Sequence, residues 1–130
     1  MKKVKLVLVA VLVVTLFMSC SQALIGTWKV QKYENTIPGE QLVTLNNIGT
    51  FSFNRDGTGE KDISYTVFDF NRTDNNPFNW TIYENYISII SDSSEFAKTW
   101  IRTENKKDYQ YWKSTDGENR VQALELKKVK

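Results

Sequence analysis

After Ser21 no long segment of this chain carries helical periodicity; apolar and polar residues alternate one by one in short runs separated by turn clusters. Leu24 to Tyr33 opens the series, with Trp28 and Val30 set against Lys29 and Gln31. A polar connection with Pro38 and Gly39 leads to Gly49–Arg55, where Phe51 and Phe53 share one face. Asp56-Gly57 is a tight hairpin signal, because glycine accepts the positive φ that such turns require. The returning strand places Ile63, Tyr65 and Val67 on one side, and Asn71 to Pro77 reads as a breaker. Phe78–Tyr83, Tyr86–Ser91, Phe96–Thr103, Tyr109–Lys113 and Val121–Val129 follow, the last two joined across Asp116-Gly117. About eight strands joined mostly by short turns must be antiparallel neighbours. An open meander would leave two unpaired edges, whereas closure removes them. The expected fold is therefore all-β, an antiparallel up-and-down barrel of about eight strands, with a two-sheet sandwich as the alternative. Eight strands enclose a space that side chains can fill or that holds one small ligand.

The first residues belong to a different segment. Lys2, Lys3 and Lys5 precede an unbroken apolar run from Leu6 to Phe17. That run is too short to span a bilayer and suits a secretory signal. Phe17-Met18-Ser19-Cys20 resembles the bacterial lipobox, in which the cysteine is acylated and becomes the first mature residue. The resemblance implies a signal peptide at 1–19, a lipidated N-terminus and short linker at 20–23, and a barrel domain at 24–130. Ordinary secretion with cleavage after Ser21 or Ala23 is the competing reading. Lipidation at Cys20 would make the membrane a partner and place the protein in the cell envelope. The outer membrane, periplasmic side, is preferred because no acidic run follows Cys20.

Removing that segment changes the charge. Three of the 17 Lys+Arg precede Cys20, leaving 14 against 15 acidic groups, a net of −1. No basic excess remains to attract nucleic acid. Cys20 is the only cysteine, so no disulfide can form within one chain, and the apolar core must hold the domain as a monomer.

Gly26-Thr27-Trp28 resembles the G-x-W signature of the lipocalins, in which the tryptophan plugs the closed end of the barrel. Asp108-Tyr109-Gln110-Tyr111 is similar to the family's T-D-Y motif, with Lys107 in place of the threonine. The resemblance implies that Arg120 lies over Trp28. The short chain, with Phe51–Gly57 and Trp80-Thr81-Ile82, looks most like the compact lipocalin-like domains of Bacteroidetes-type lipoproteins.

The chain has no histidine, which removes the commonest general base and metal ligand near neutral pH. No phosphate loop or zinc spacing is present. Glu60, Asp62 and Asp69 read as solvated strand and turn charges, and Asp69–Asp74 as a polar turn rather than a calcium loop. No enzymatic activity, cofactor or metal is expected. Aromatic side chains are the notable resource. Trp28, Phe51 and Phe53 read as core, while Tyr65, Trp80, Tyr109, Tyr111 and Trp112 could line a pocket for a small apolar ligand, their polar ends needing partners. A filled barrel that serves as an envelope structural or interaction module is the alternative function.

Overall fold

The computed structural model describes residues 23–36, 39, 42–115 and 120–129. The signal segment, Cys20, Pro38 and the Asp116-Gly117 turn lie outside them. Among the described residues nine strands run in order: β1 Gly26–Thr36, β2 Val43–Phe53, β3 Thr58–Val67, β4 Phe70–Asp74, β5 Phe78–Tyr83, β6 Tyr86–Ile90, β7 Thr99–Asn105, β8 Tyr109–Thr115 and β9 Val121–Lys128. All pairings are antiparallel, and the sheet order β2-β1-β9-β8-β7-β6-β5-β3-β4 closes through an additional β2–β3 ladder. Eight strands thus form a closed barrel, which decides against a sandwich, and β4 is an extra strand on β3.

Strand β4 corrects the sequence reading. Phe70-Asn71-Arg72-Thr73-Asp74 has the composition of a breaker, yet it pairs with β3 from Val67↔Phe70 to Ile63↔Asp74. Only two residues of β3, Thr58 and Gly59, pair with β5. The neighbour of β3 therefore changes along its length, and the β3–β4 hairpin stands up from one end of the barrel. Its pattern could not reveal it, because four of its five residues are exposed and the fifth only partly buried.

The ladders assign the two ends. The turns around Asp56-Gly57, Glu84-Asn85 and Lys106–Asp108 gather at one end with the start of β1 and the end of β9. That end is closed. Trp28, Phe51, Phe53, Phe78, Trp80, Trp112, Leu124 and Leu126 are buried there and through the middle. Edge-to-face contacts such as Phe53–Trp80 at 5.5 Å and Phe51–Phe78 at 6.0 Å lock the rings together. Gly57 takes φ 88° in the D-G turn, as the sequence requires.

Midway up, β1 and β2 both bend. The register slips between Val30 and Lys32, so Val30 and then Tyr33, not Lys32, face inward. Opposite Val30 lies Gly49, at φ 144°, where a Cβ would sit 1.9 Å from the Asp62 carbonyl oxygen. Only glycine admits that approach of β2 to β3. Above this bend the interior opens.

The sequence places Tyr109 and Tyr111 with the interior aromatics; the structure reverses the phase of β8. Gln110, Trp112 and Ser114 point inward and are buried, leaving both tyrosines on the outer wall. Only one phase of Tyr-Gln-Tyr-Trp can face the core, and the indole wins it. Trp112 packs on Trp100 and Phe53, and its Nε1 donates to Gln110 Oε1 at 3.1 Å. The amide of Gln110 in turn donates to the Lys106 carbonyl, so this buried polar pair is satisfied.

Candidate binding site

At the open end the strands diverge around a pocket of about 420 Å³. Its walls come from the upper halves of β1, β2, β3 and β4, where Val43, Leu45 and Val67 supply apolar surface. Leu45 stands opposite Tyr33, and Val43 opposite Asn35, so one β1–β2 ladder gives both an apolar and a polar wall. Phe68 and Phe70, at the tip of the β3–β4 hairpin, form the lip and are 77% and 70% exposed.

The floor is polar and hydrogen-bonded. It is built on Glu95, in the segment 91–98 that links β6 to β7 across the barrel mouth. Glu95 Oε2 accepts the hydroxyls of Tyr65 at 2.8 Å and Tyr33 at 3.2 Å, while Oε1 lies 3.6 Å from an Arg72 nitrogen. Gln122 Nε2 donates to the Tyr33 oxygen at 2.7 Å, and the Lys98 ammonium donates to Gln122 Oε1. Burial, then the Glu95 carboxylate, holds the Tyr33 hydroxyl well above the usual phenol range. Burial likewise raises Tyr65, helped by its hydrogen bond to Glu95. Both phenols therefore stay neutral donors at physiological pH. Arg120 completes the rim, its Nε donating to Asn35 Oδ1 at 3.0 Å.

Several anchors fix the segment that carries Glu95. Phe96 is driven into the core against Tyr33 and Phe51. Ser94 Oγ donates to Asp74 Oδ2 at 2.6 Å, and Asp74 Oδ1 pairs with Lys61 Nζ at 3.1 Å. The Lys61 side chain is 0% exposed and also donates to Ser91 Oγ at 2.7 Å. A buried ammonium needs such partners. A second, more polar hollow of about 330 Å³ shares Tyr65, Phe70, Arg72 and Glu95 with the first.

Of the five residues expected to line a pocket, only Tyr65 lies in this one. Trp80 is packed at the closed end, its Nε1 donating to the Thr58 carbonyl at 2.8 Å, and Trp112 is wholly buried. Tyr109 and Tyr111 stand on the outer wall, their hydroxyl pKa values raised by partial burial and then by carboxylates, chiefly Glu125 and Glu34 respectively. Arg120 is also displaced from its expected place. It immediately precedes β9, beside the end of β1, whereas Trp28 lies opposite Lys128 at the other end of the β1–β9 ladder. The Lys128 ammonium, not Arg120, covers the Trp28 ring, 5.4 Å from its centroid, while Trp28 Nε1 donates to the Leu24 carbonyl. Sequence reasoning missed Tyr33, Phe68, Phe70, Arg72 and Glu95. Tyr33 sits beyond a bulge that breaks alternation, and the others lie in stretches whose composition is that of turns. Among the described residues, no three Cys, Asp or Glu side chains gather as a metal site.

A closed eight-stranded antiparallel barrel, packed at one end and hollow at the other, defines the calycin class of architecture. A family model of the lipocalin-like domain matches residues 24–127, and the chain belongs to that family. A lipocalin-like protein from Bacteroides uniformis has a similar fold, with a TM-score of 0.56 at 13% identity over 82% of this chain and 99% of that one. An uncharacterized protein from Bacteroides eggerthii gives 0.54 at 11% identity, again over 82% and 99% of the two chains. At such identities the likeness concerns the fold. No protein of curated function matches the sequence.

Proposed function

We propose that this chain is a membrane-tethered, non-catalytic binding protein that holds a small hydrophobic molecule in the open end of its barrel. The observation that carries the reading is the pocket of about 420 Å³, apolar on its walls with a few convergent polar groups on its floor. Glu95, Tyr33 and Tyr65 satisfy one another, so the floor is set before any ligand arrives. No cofactor is invoked, and the barrel acts as a monomer.

The tether is acylated Cys20, in the cell envelope and on the periplasmic face of the outer membrane. Lys128 Nζ donates to the Ala23 carbonyl, which fixes Ala23 at the closed end. Three residues of chain reach at most about 10 Å. Tethering through Cys20 would therefore hold the closed end near the bilayer and direct the mouth away from it.

A second reading, an envelope interaction module, rests on the outer wall. Tyr83, Tyr86 and Ile101 are exposed and follow one another across β5, β6 and β7. A thermal-shift screen separates the two, using the chain from residue 20 with Cys20→Ser. Fatty acids, isoprenoids, haem and bile-type sterols are tested at a hundred times micromolar affinity. A bound ligand at that excess stabilises by about 2.7 kcal/mol. A shift that Leu45→Glu abolishes in a folded variant supports the binding protein. No shift with any class rejects it in favour of the interaction module.

A further inference from the structure

The mouth of the pocket has two features that closing a barrel does not require. The first is backbone strain under an exposed ring. Phe68 and Asp69 form the two-residue turn between β3 and β4, at φ 49° and 68°. Such a turn normally takes Asn-Gly, and a bulky residue at positive φ is an outlier. Aspartate tolerates the conformation; phenylalanine gains no burial from it here, since Phe68 as a residue is 77% exposed. What the strain achieves is to place the Phe68 ring at the lip, beside Phe70.

The second feature is charge. Among the described residues, the carboxylates and cations that line the pocket are Glu95, Arg72 and Arg120, a net positive set on a chain whose net charge from Cys20 onward is −1. The Glu95 carboxylate already receives two phenol hydroxyls and faces Arg72. The Arg120 guanidinium is held by its Nε bond to Asn35, a bond that does not use the fork of its two terminal nitrogens. Such a fork matches a carboxylate, phosphate or sulfonate.

We propose that the pocket takes an anionic amphiphile, its charged head on Arg120 and Arg72 and its apolar body covered by Phe68 and Phe70. This rests on the binding-protein reading and names the ligand class for the same site. The size is consistent. About 420 Å³ holds roughly fourteen heavy atoms at the ~30 Å³ that each water occupies in the liquid. A ten-carbon monoacid fits within that limit.

The test is calorimetric titration of the chain from residue 20 carrying Cys20→Ser, which retains the whole closed barrel of residues 26–128. The probes are decanoate, decanol and decylammonium, which share one chain length and differ in the head. Decanoate should bind at least tenfold more tightly than decanol, and decylammonium more weakly than either. Arg120→Gln should remove the advantage of decanoate while leaving decanol unchanged. Phe68→Asn should weaken decanoate and decanol alike several-fold, yet raise the melting temperature, because asparagine relieves the turn. Equal affinity for the three heads, or no effect of Arg120→Gln on decanoate, overturns the head-group assignment and leaves the binding-protein reading standing. Phe68→Asn that lowers stability, or leaves affinity unchanged, overturns the role of Phe68. Failure of all three probes also overturns the inference; the broader reading falls only if the wider screen fails as well.

Discussion

Asp74→Ala should be far more damaging than its position on a mostly exposed strand suggests. The Asp74 carboxylate is the counter-ion of Lys61, 3.1 Å away, and that ammonium belongs to a side chain with no solvent exposure. Removing it leaves a buried charge with Ser91 Oγ as its neutral partner and also deprives Ser94 of its acceptor. Breaking a buried pair in this way costs about 3–5 kcal/mol. Asp74 itself is 12% exposed, so water relieves part of the deficit and about 3 kcal/mol is expected. For a domain of this size that is a fall of roughly 12–15 °C in melting temperature. The control is the double variant Lys61→Met/Asp74→Ala, in which no charge remains buried and a side chain of similar length fills the space. It should recover most of the loss, with a coupling of about 2 kcal/mol in a double-mutant cycle read by urea denaturation. A single Asp74→Ala that costs less than 1 kcal/mol, or a double variant no more stable than the single, would refute the reasoning.

Three further outcomes follow from the same geometry. Two of the six tyrosines, Tyr33 and Tyr65, have hydroxyls held neutral by burial and by Glu95, so their folded pKa values lie above the unfolded value near 10. Their contribution to stability is complete below about pH 10 and declines as the pH rises further, since the unfolded chain then loses protons more readily. Absorbance titration should show their phenolates appearing only with unfolding, and Tyr65→Phe should flatten the alkaline loss; early ionisation of all six would contradict this. Gly49→Ala should prevent barrel closure, because its Cβ would collide with the Asp62 carbonyl at 1.9 Å, and circular dichroism of a soluble, native-like variant would disprove the point. All four tryptophans are buried, Trp28, Trp80, Trp100 and Trp112, so their emission should be blue-shifted and barely quenched by acrylamide. Strong quenching in the native state would place at least one of them elsewhere.

The fold was legible where alternation met turn chemistry. Phe51 and Phe53 before Asp56-Gly57, and Phe78 and Trp80 before Glu84-Asn85, specify strand, face and turn at once. Closure followed from the need to satisfy edges. The binding site was far less legible, for three physical reasons. A bulge between Val30 and Lys32 shifts Tyr33 to the inner face, which strict alternation does not anticipate. In β8 both faces carry aromatics, so the pattern leaves the phase open until Trp112 is set against Trp100 and Phe53. Glu95 and Phe96 follow the Asp92–Ser94 turn and read as a loop and a strand start, although together they build the pocket floor and plug the core beneath it. The family signature was informative about Trp28 and misleading about its cover: an antiparallel β1–β9 ladder puts Lys128, and not Arg120, beside it.

The most direct test of the binding account is an NMR titration of the isotopically labelled chain from residue 20, Cys20→Ser, with decanoate or any stabilising ligand from the screen. Saturable shifts should cluster at Tyr33, Leu45, Tyr65, Phe68, Phe70 and Arg120, and leave Trp28, Trp80 and Trp112 at the closed end and Tyr109 and Tyr111 on the outer wall unmoved. Shifts centred on those closed-end or outer-wall residues, or none with any ligand, would contradict it.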